Sequence, residues 1–137
     1  MRFDDGAAAA ITKISLLERS TCITYINGVE LRRLPADEKA CRKLFNAQEQ
    51  VRAELEIAAD PTAWPVIPGL GGVRKARAAR GGRGKSGAAR VLYYVVSRRG
   101  TIYLLYAYAK SVQEDIDEAQ KKAIRALTVT LEREARR

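Results

Sequence analysis

Lys75 and Arg77 are separated by one residue in the segment 73–79 (VRKARAA), whose pattern predicts a β-strand. On a strand that spacing puts both cations on one face, ~6.5–7 Å apart, and turns Arg74, Ala76 and Ala78 to the other face. Arg90 opens a second strand candidate, 90–97 (RVLYYVVS), and Lys110 follows a third, 101–109 (TIYLLYAYA). If these strands pair as neighbours, four cations converge. Such a cluster suits phosphodiester cleavage. Guanidinium groups stabilise the extra negative charge of a phosphorane-like transition state. A lysine crowded by other cations gives up its proton more readily, and can then take one from a ribose 2′-hydroxyl. Lys75, Arg77, Arg90 and Lys110 are therefore the candidate catalytic residues. Arg80, Arg83 and Lys85 lie in a glycine-rich stretch whose backbone can approach an extended anion closely, and with Arg74 they are the candidate RNA-binding residues. Tyr93, Tyr94, Tyr103, Tyr106 and Tyr108 are interleaved with these cations. They can stack on bases or take part in proton transfer, although tyrosines in a sheet more commonly serve cross-strand packing.

The charge of the whole chain collects around the same residues. Positions 61–113 hold ten Lys and Arg and no Asp or Glu, while the rest of the chain is close to neutral, so the formal net charge of +9 belongs to one central segment. A solvated surface ordinarily mixes signs because like charges repel in the folded state. An unmixed block points to a polyanionic partner. The chain has no histidine, which excludes a His-pair ribonuclease, a Ser-His-Asp hydrolase and a His-ligated metal site. Cys22 and Cys41 form no CxxC pair and cannot make a four-ligand zinc site, so they read as free thiols of a reducing, cytoplasmic environment. Neither a metal nor a cofactor is implied.

One motif misleads. Residues 79–86 read ARGGRGKS, one glycine short of the phosphate-loop pattern GxxxxGK[ST]. That motif needs a helix after it, whose amino end holds the phosphates, and here a strand-like run follows. Nucleotide hydrolysis is set aside on that ground.

The elements that must position these residues come from periodicity and punctuation. At 137 residues one domain is expected, 21–137, with 1–20 as an additional arm. No apolar run reaches the ~20 residues of a membrane span, and the first seventeen residues make a poor secretory signal. Residues 21–27 read as a strand ending in an Asn27-Gly28 turn. Pro35 opens a helix with Ala40, Cys41, Leu44 and Phe45 inward. Asn46 and Glu49 have capping-box spacing for a second helix reaching Ala59, with Val51, Leu55 and Ala58 on its inner face and Asp60-Pro61 as its stop. A Pro/Gly-rich connector, 64–72, follows, with Trp64 as a core plug. Arg98-Arg99-Gly100 joins the last two strands as a hairpin. The strand 101–109 is apolar on both faces in its middle, as a central strand covered by helices would be. Asp117 caps a final helix with Ile116, Ala119, Ala123, Ile124, Leu127 and Leu131 inward. The fold class expected is α+β: an antiparallel sheet of about four strands, two N-terminal helices and a C-terminal helix.

The strings GLGGVRKAR, GRGKSGAARVLYY and IYLLYAYAKSVQEDIDEAQKKAI follow one another within about residues 60–131. Together they resemble the HigB-type branch of the RelE/ParE toxins of bacterial type II toxin–antitoxin pairs. The resemblance rests on a GGxRKxR strand, a GKxG loop, an RVxYY strand and a YAK turn in that order. It implies a RelE-like fold and a cytoplasmic endoribonuclease that enters the ribosomal A site and cuts translated mRNA without a metal, through attack of the 2′-hydroxyl. It also implies a cognate antitoxin, often a helix-turn-helix protein. By the same resemblance Lys75, Arg77, Arg90 and Lys110 match the basic positions lining the family's cleft, with Lys85 in its loop. Relatives usually carry two glycines before the arginine of the RVxYY strand, where this chain has Ala88-Ala89. Two alternatives stand beside the nuclease: a non-enzymatic ParE-like inhibitor of gyrase, and a non-toxic basic RNA-binding module.

Overall fold

The computed structural model describes residues 23–80, 88–96 and 100–136. Chain order is β1 (Ile23–Ile26), β2 (Val29–Arg33), α1 (Pro35–Leu44), α2 (Ala47–Ala59), β3 (Arg74–Ala78), β4 (Ala89–Val96), β5 (Thr101–Ala109) and α3 (Glu118–Ala135). The strands form one sheet in the order β1-β2-β5-β4-β3. Asn27 and Gly28 both take positive φ, 50° and 82°, the backbone that closes a two-residue hairpin between right-twisted strands.

Two expectations about the sheet need correction. It has five described strands, because VELRR forms β2, and it is mixed: β2 runs antiparallel to β1 but parallel to β5, Leu31 opposite Ile102. The parallel pair follows from connectivity. After β2 the chain crosses over through α1 and α2 to the far edge, builds β3 and β4, and returns with β5 between β4 and β2. Three of the five residues of β2 are charged, which hides it from a hydrophobic pattern. Its inward anchor Leu31 is fully buried, with Val29 half-buried against the same cluster.

Helices cover both faces. Cys41 and Phe45 of and beside α1, with Ala53, Ile57 and Ala58 of α2, pack on Ala76, Ala78, Val91, Tyr93, Ile102, Leu104 and Ala107. On the other face Ile124, Leu127 and Leu131 of α3 pack on Leu92, Tyr94, Val96, Leu105 and Tyr108. Both capping boxes exist, Asn46 with Glu49 and Asp117 with Gln120. The inner face of α2 is not the one expected. Val51 and Leu55 are exposed, and Ala53, Glu54, Ile57 and Ala58 are buried. The cause is Arg33, whose Nε and Nη2 each donate to a Glu54 carboxylate oxygen at 2.6 Å and so hold a charged side chain inside. Likewise Ala119 is exposed and Gln120 buried, because the Gln120 side chain both caps α3 and accepts from Gln113 Nε2 at 2.6 Å.

The inner strand β5 carries a bulge that decides where its tyrosines point. Leu92 lies opposite Tyr106, but Tyr93 lies opposite Leu104, so Leu105 is an extra residue in β5. Side-chain alternation therefore slips by one. Tyr103 and Leu105 before the slip, and Tyr106 and Tyr108 after it, all face α3. This is why the strand reads as apolar on both faces.

The connector braces the outer edge of β3. Backbone bonds run from Ile67 N to Val73 O (2.8 Å) and from Lys75 N to Pro65 O (3.0 Å). Trp64 is half-buried against the α1–α2 side of the sheet, as expected of a plug. Gly72, at φ 106°, passes so close to the Tyr94 ring that a Cβ there would meet it at 3.4 Å, which sets how tightly the connector can turn into β3. Ala88 leads directly into strand β4, so a helix does not follow the GKS motif. Among the described residues no helix is long and apolar enough to cross a membrane.

Candidate functional site

The β3–β4–β5 register converts sequence spacing into a site. Arg77 is opposite Arg90, and Arg90 is opposite Tyr108; one step along, Lys75 is opposite Leu92, which is opposite Tyr106. Directly opposed residues on antiparallel strands share a face, with Cβ atoms ~4.5–5.5 Å apart. Leu92, Tyr106 and Tyr108 belong to the α3 side of the sheet, so Lys75, Arg77 and Arg90 do too. They sit at its β3 margin, where Arg77 is exposed and Lys75 and Arg90 are half-buried. Lys110, also exposed, extends the ladder by one step through its N–H to Ala88 O at 3.1 Å and follows Tyr108 at two-residue spacing.

Within the described residues none of these four cations forms an ion pair. Arg90 makes one long side-chain bond, Nη1 to Ala89 O at 3.4 Å. Two guanidinium groups facing each other across a ladder repel, which costs a few tenths of a kcal/mol up to about 1 kcal/mol. An anion lying over the pair removes that cost. The arrangement is therefore suited to a phosphate group, with two planar donor forks on one side of it and an ammonium group beside them.

The remaining predicted cations divide. Arg74 faces the other side of the sheet, where Nη1 donates to the carbonyls of Trp64 (2.6 Å) and Thr62 (3.1 Å); it holds the connector. Arg80 Nε donates to Leu44 O at 3.0 Å, at the carboxyl end of α1. Arg83, Lys85, Arg98 and Arg99 lie outside the described residues.

The tyrosines divide as well. Tyr93 donates to Pro61 O at 2.7 Å and Tyr94 to Glu132 Oε2 at 2.5 Å. Both belong to the frame, and burial pushes both phenols up to about 12. Tyr108 is 4% exposed, and its hydroxyl has no hydrogen-bond partner among the described residues. Burial, then the charge of Asp115, push it up to about 12 against the opposing pull of Arg90. The Tyr106 ring lies 6.2 Å from the Tyr108 ring at 30°. Sequence reasoning grouped these tyrosines together and had no signal separating Tyr108 from Tyr93 and Tyr94, because the distinction depends on what lies above each hydroxyl.

The family model described as the RelE toxin of the RelE / RelB toxin–antitoxin system matches residues 67–136. The chain belongs to the RelE toxin family. The RelE match begins in the connector and takes in β3, β4, β5 and α3, so it contains the whole cationic row. Membership in the RelE family makes this a toxin of a toxin–antitoxin system, with an antitoxin as its partner, in a family known for ribonuclease toxins. A solved structure of a double arginine-to-alanine mutant of E. coli toxin RelE in the free state is similar over 71% of this chain and 95% of that one, at 16% identity and a TM-score of 0.45.

Proposed function

We propose that this RelE-family toxin is a HigB-branch endoribonuclease that acts in the ribosomal A site and cuts translated mRNA. The observation that supports this most is the register Arg77–Arg90–Tyr108, with Lys75 beside Arg77 on the same open margin and no carboxylate paired to any of the cations among the described residues.

In this mechanism a ribose 2′-hydroxyl attacks the adjacent phosphorus while its proton passes to Lys75 or to a group that Lys75 supports electrostatically. The bond from phosphorus to the 5′-oxygen breaks and that oxygen takes up a proton from water, leaving a 2′,3′-cyclic phosphate on one fragment and a 5′-hydroxyl on the other. Arg77 and Arg90 hold the non-bridging oxygens as charge builds on them, and Lys110 positions a neighbouring phosphate. The charge stabilisation comes from side-chain cations, so no metal is called for. Dependence on the ribosome has a physical basis. With no histidine the chain lacks a side chain that ordinarily titrates near neutrality, so a fixed mRNA geometry must supply much of the rate through orientation. The antitoxin, in this account a helix-turn-helix protein, masks the basic margin.

The test is to incubate the purified toxin with an mRNA alone and with the same mRNA on programmed ribosomes. Cleavage within the A-site codon only in the second case is expected. Equal cleavage of the naked RNA contradicts ribosome dependence, and no cleavage in either case contradicts the nuclease.

A further inference from the structure

Three buried tyrosines lie in the inner strands, and the hydroxyls of two of them are bonded to the frame. The third hydroxyl, on Tyr108, is shut off from solvent with no partner among the described residues. An unpaired buried hydroxyl is destabilising, and phenylalanine would fill the same volume without that cost. Among the described residues this hydroxyl therefore contributes no bond to the fold. Its place is specific: Tyr108 is directly opposite Arg90, its ring is fixed against Tyr106, and the charges of Arg90 and Asp115 both act on it. Arg90, for its part, is held among the described residues only by a long bond to the carbonyl of its own chain neighbour.

Resting on the reading of this margin as a phosphate site, we propose that the Tyr108 hydroxyl is a positioning group for Arg90, accepting an N–H from its guanidinium when a phosphodiester docks and so aiming the fork at the phosphate oxygens. Tyr108 is too deeply buried to touch the RNA itself and acts through Arg90. Held up near 12, the phenol keeps its proton at neutral pH, so it serves as a hydrogen-bonding group and not as the base.

The experiment measures binding of a short single-stranded RNA carrying 2′-O-methyl groups, which cannot be cut, by fluorescence anisotropy at low salt. The proteins are wild type, Tyr108→Phe, Arg90→Ala and the double variant, each with its melting temperature. The expected result is a three- to tenfold weaker affinity for Tyr108→Phe with a melting temperature equal to or above wild type. In the Arg90→Ala background the same change should have no further effect. If Arg90→Ala binds as well as wild type, both this role and the phosphate reading fail. If Arg90→Ala is weakened while Tyr108→Phe binds like wild type, the phosphate reading stands and the role of Tyr108 is overturned. Equal weakening by Tyr108→Phe with and without Arg90 also overturns it, because the hydroxyl then acts independently of that guanidinium.

Discussion

Arg77 and Arg90 stand directly opposite each other across the β3–β4 ladder, two like charges in register with no ion pair to either among the described residues. A pair that only supported the fold would include a carboxylate. Truncating Arg77 to alanine should leave the stability within about 0.5 kcal/mol of wild type, or raise it slightly, since repulsion is relieved. Cleavage on programmed ribosomes should fall about 100-fold or more, because a transition-state charge loses a preorganised donor. Thermal melts and single-turnover rates of the same preparation check both halves.

Asp37 in the first turn of α1 is fully buried; one carboxylate oxygen accepts from Cys41 Sγ at 3.6 Å and the other has no partner among the described residues. Burial, then the neighbouring Glu54 and, more weakly, Glu38 raise it from 3.8 to about 7, against Arg33 and the Cys41 bond. A carboxyl with a raised folded pKa binds its proton more tightly in the folded chain than in the unfolded one. Its contribution to stability is therefore greatest at low pH and is lost as pH climbs from about 4 to about 7. Asp37→Asn should remove this loss. The gap between variant and wild type in urea unfolding should widen from pH 5 to pH 8, approaching about 4 kcal/mol at most. A constant gap across that range would show that Asp37 titrates normally.

The Arg33–Glu54 pair is a second buried charge arrangement, with side chains 14% and 5% exposed. Removing the Glu54 carboxylate takes two 2.6 Å charge-assisted bonds from a largely buried guanidinium, so Glu54→Ala should cost about 3–5 kcal/mol. Replacing both with leucine should recover most of that loss, because the desolvation penalty goes with the charges. Denaturation midpoints of the two single variants and the double variant decide it.

The phosphate reading also fixes a salt response. RNA binding by the wild type should weaken steeply with salt, and Lys110→Ala should lower affinity while reducing the slope of log affinity against log salt by about 0.7, one phosphate's worth for a single strand. An unchanged slope would place Lys110 away from the phosphates.

Much of the architecture was legible because its signals are local. Both capping boxes, Pro35 at the start of α1, the Asn27-Gly28 turn and the limits of β5 follow from residue type and spacing, and they stand where expected. The cations on one face were legible too, since alternation along 73–79 separates Lys75 and Arg77 from Arg74 whatever strand lies alongside. What escaped depends on distant partners. The strand β2 and the inner face of α2 are disguised by a single contact, Arg33 with Glu54, which makes two charged residues behave as core. The bulge at Leu105 arises from pairing with β4 and leaves no mark in composition. The burial of Asp37 and the capture of Arg74 by connector carbonyls depend in the same way on chain remote in sequence.

The most direct measurement is to map mRNA 5′ ends in a bacterial host after brief induction of the wild-type toxin and of Arg90→Ala at equal level. The account predicts new ends confined to translated regions, in register with codons, and absent with Arg90→Ala. Growth arrest by the wild type without new ends, or cuts that persist undiminished in Arg90→Ala, would contradict it.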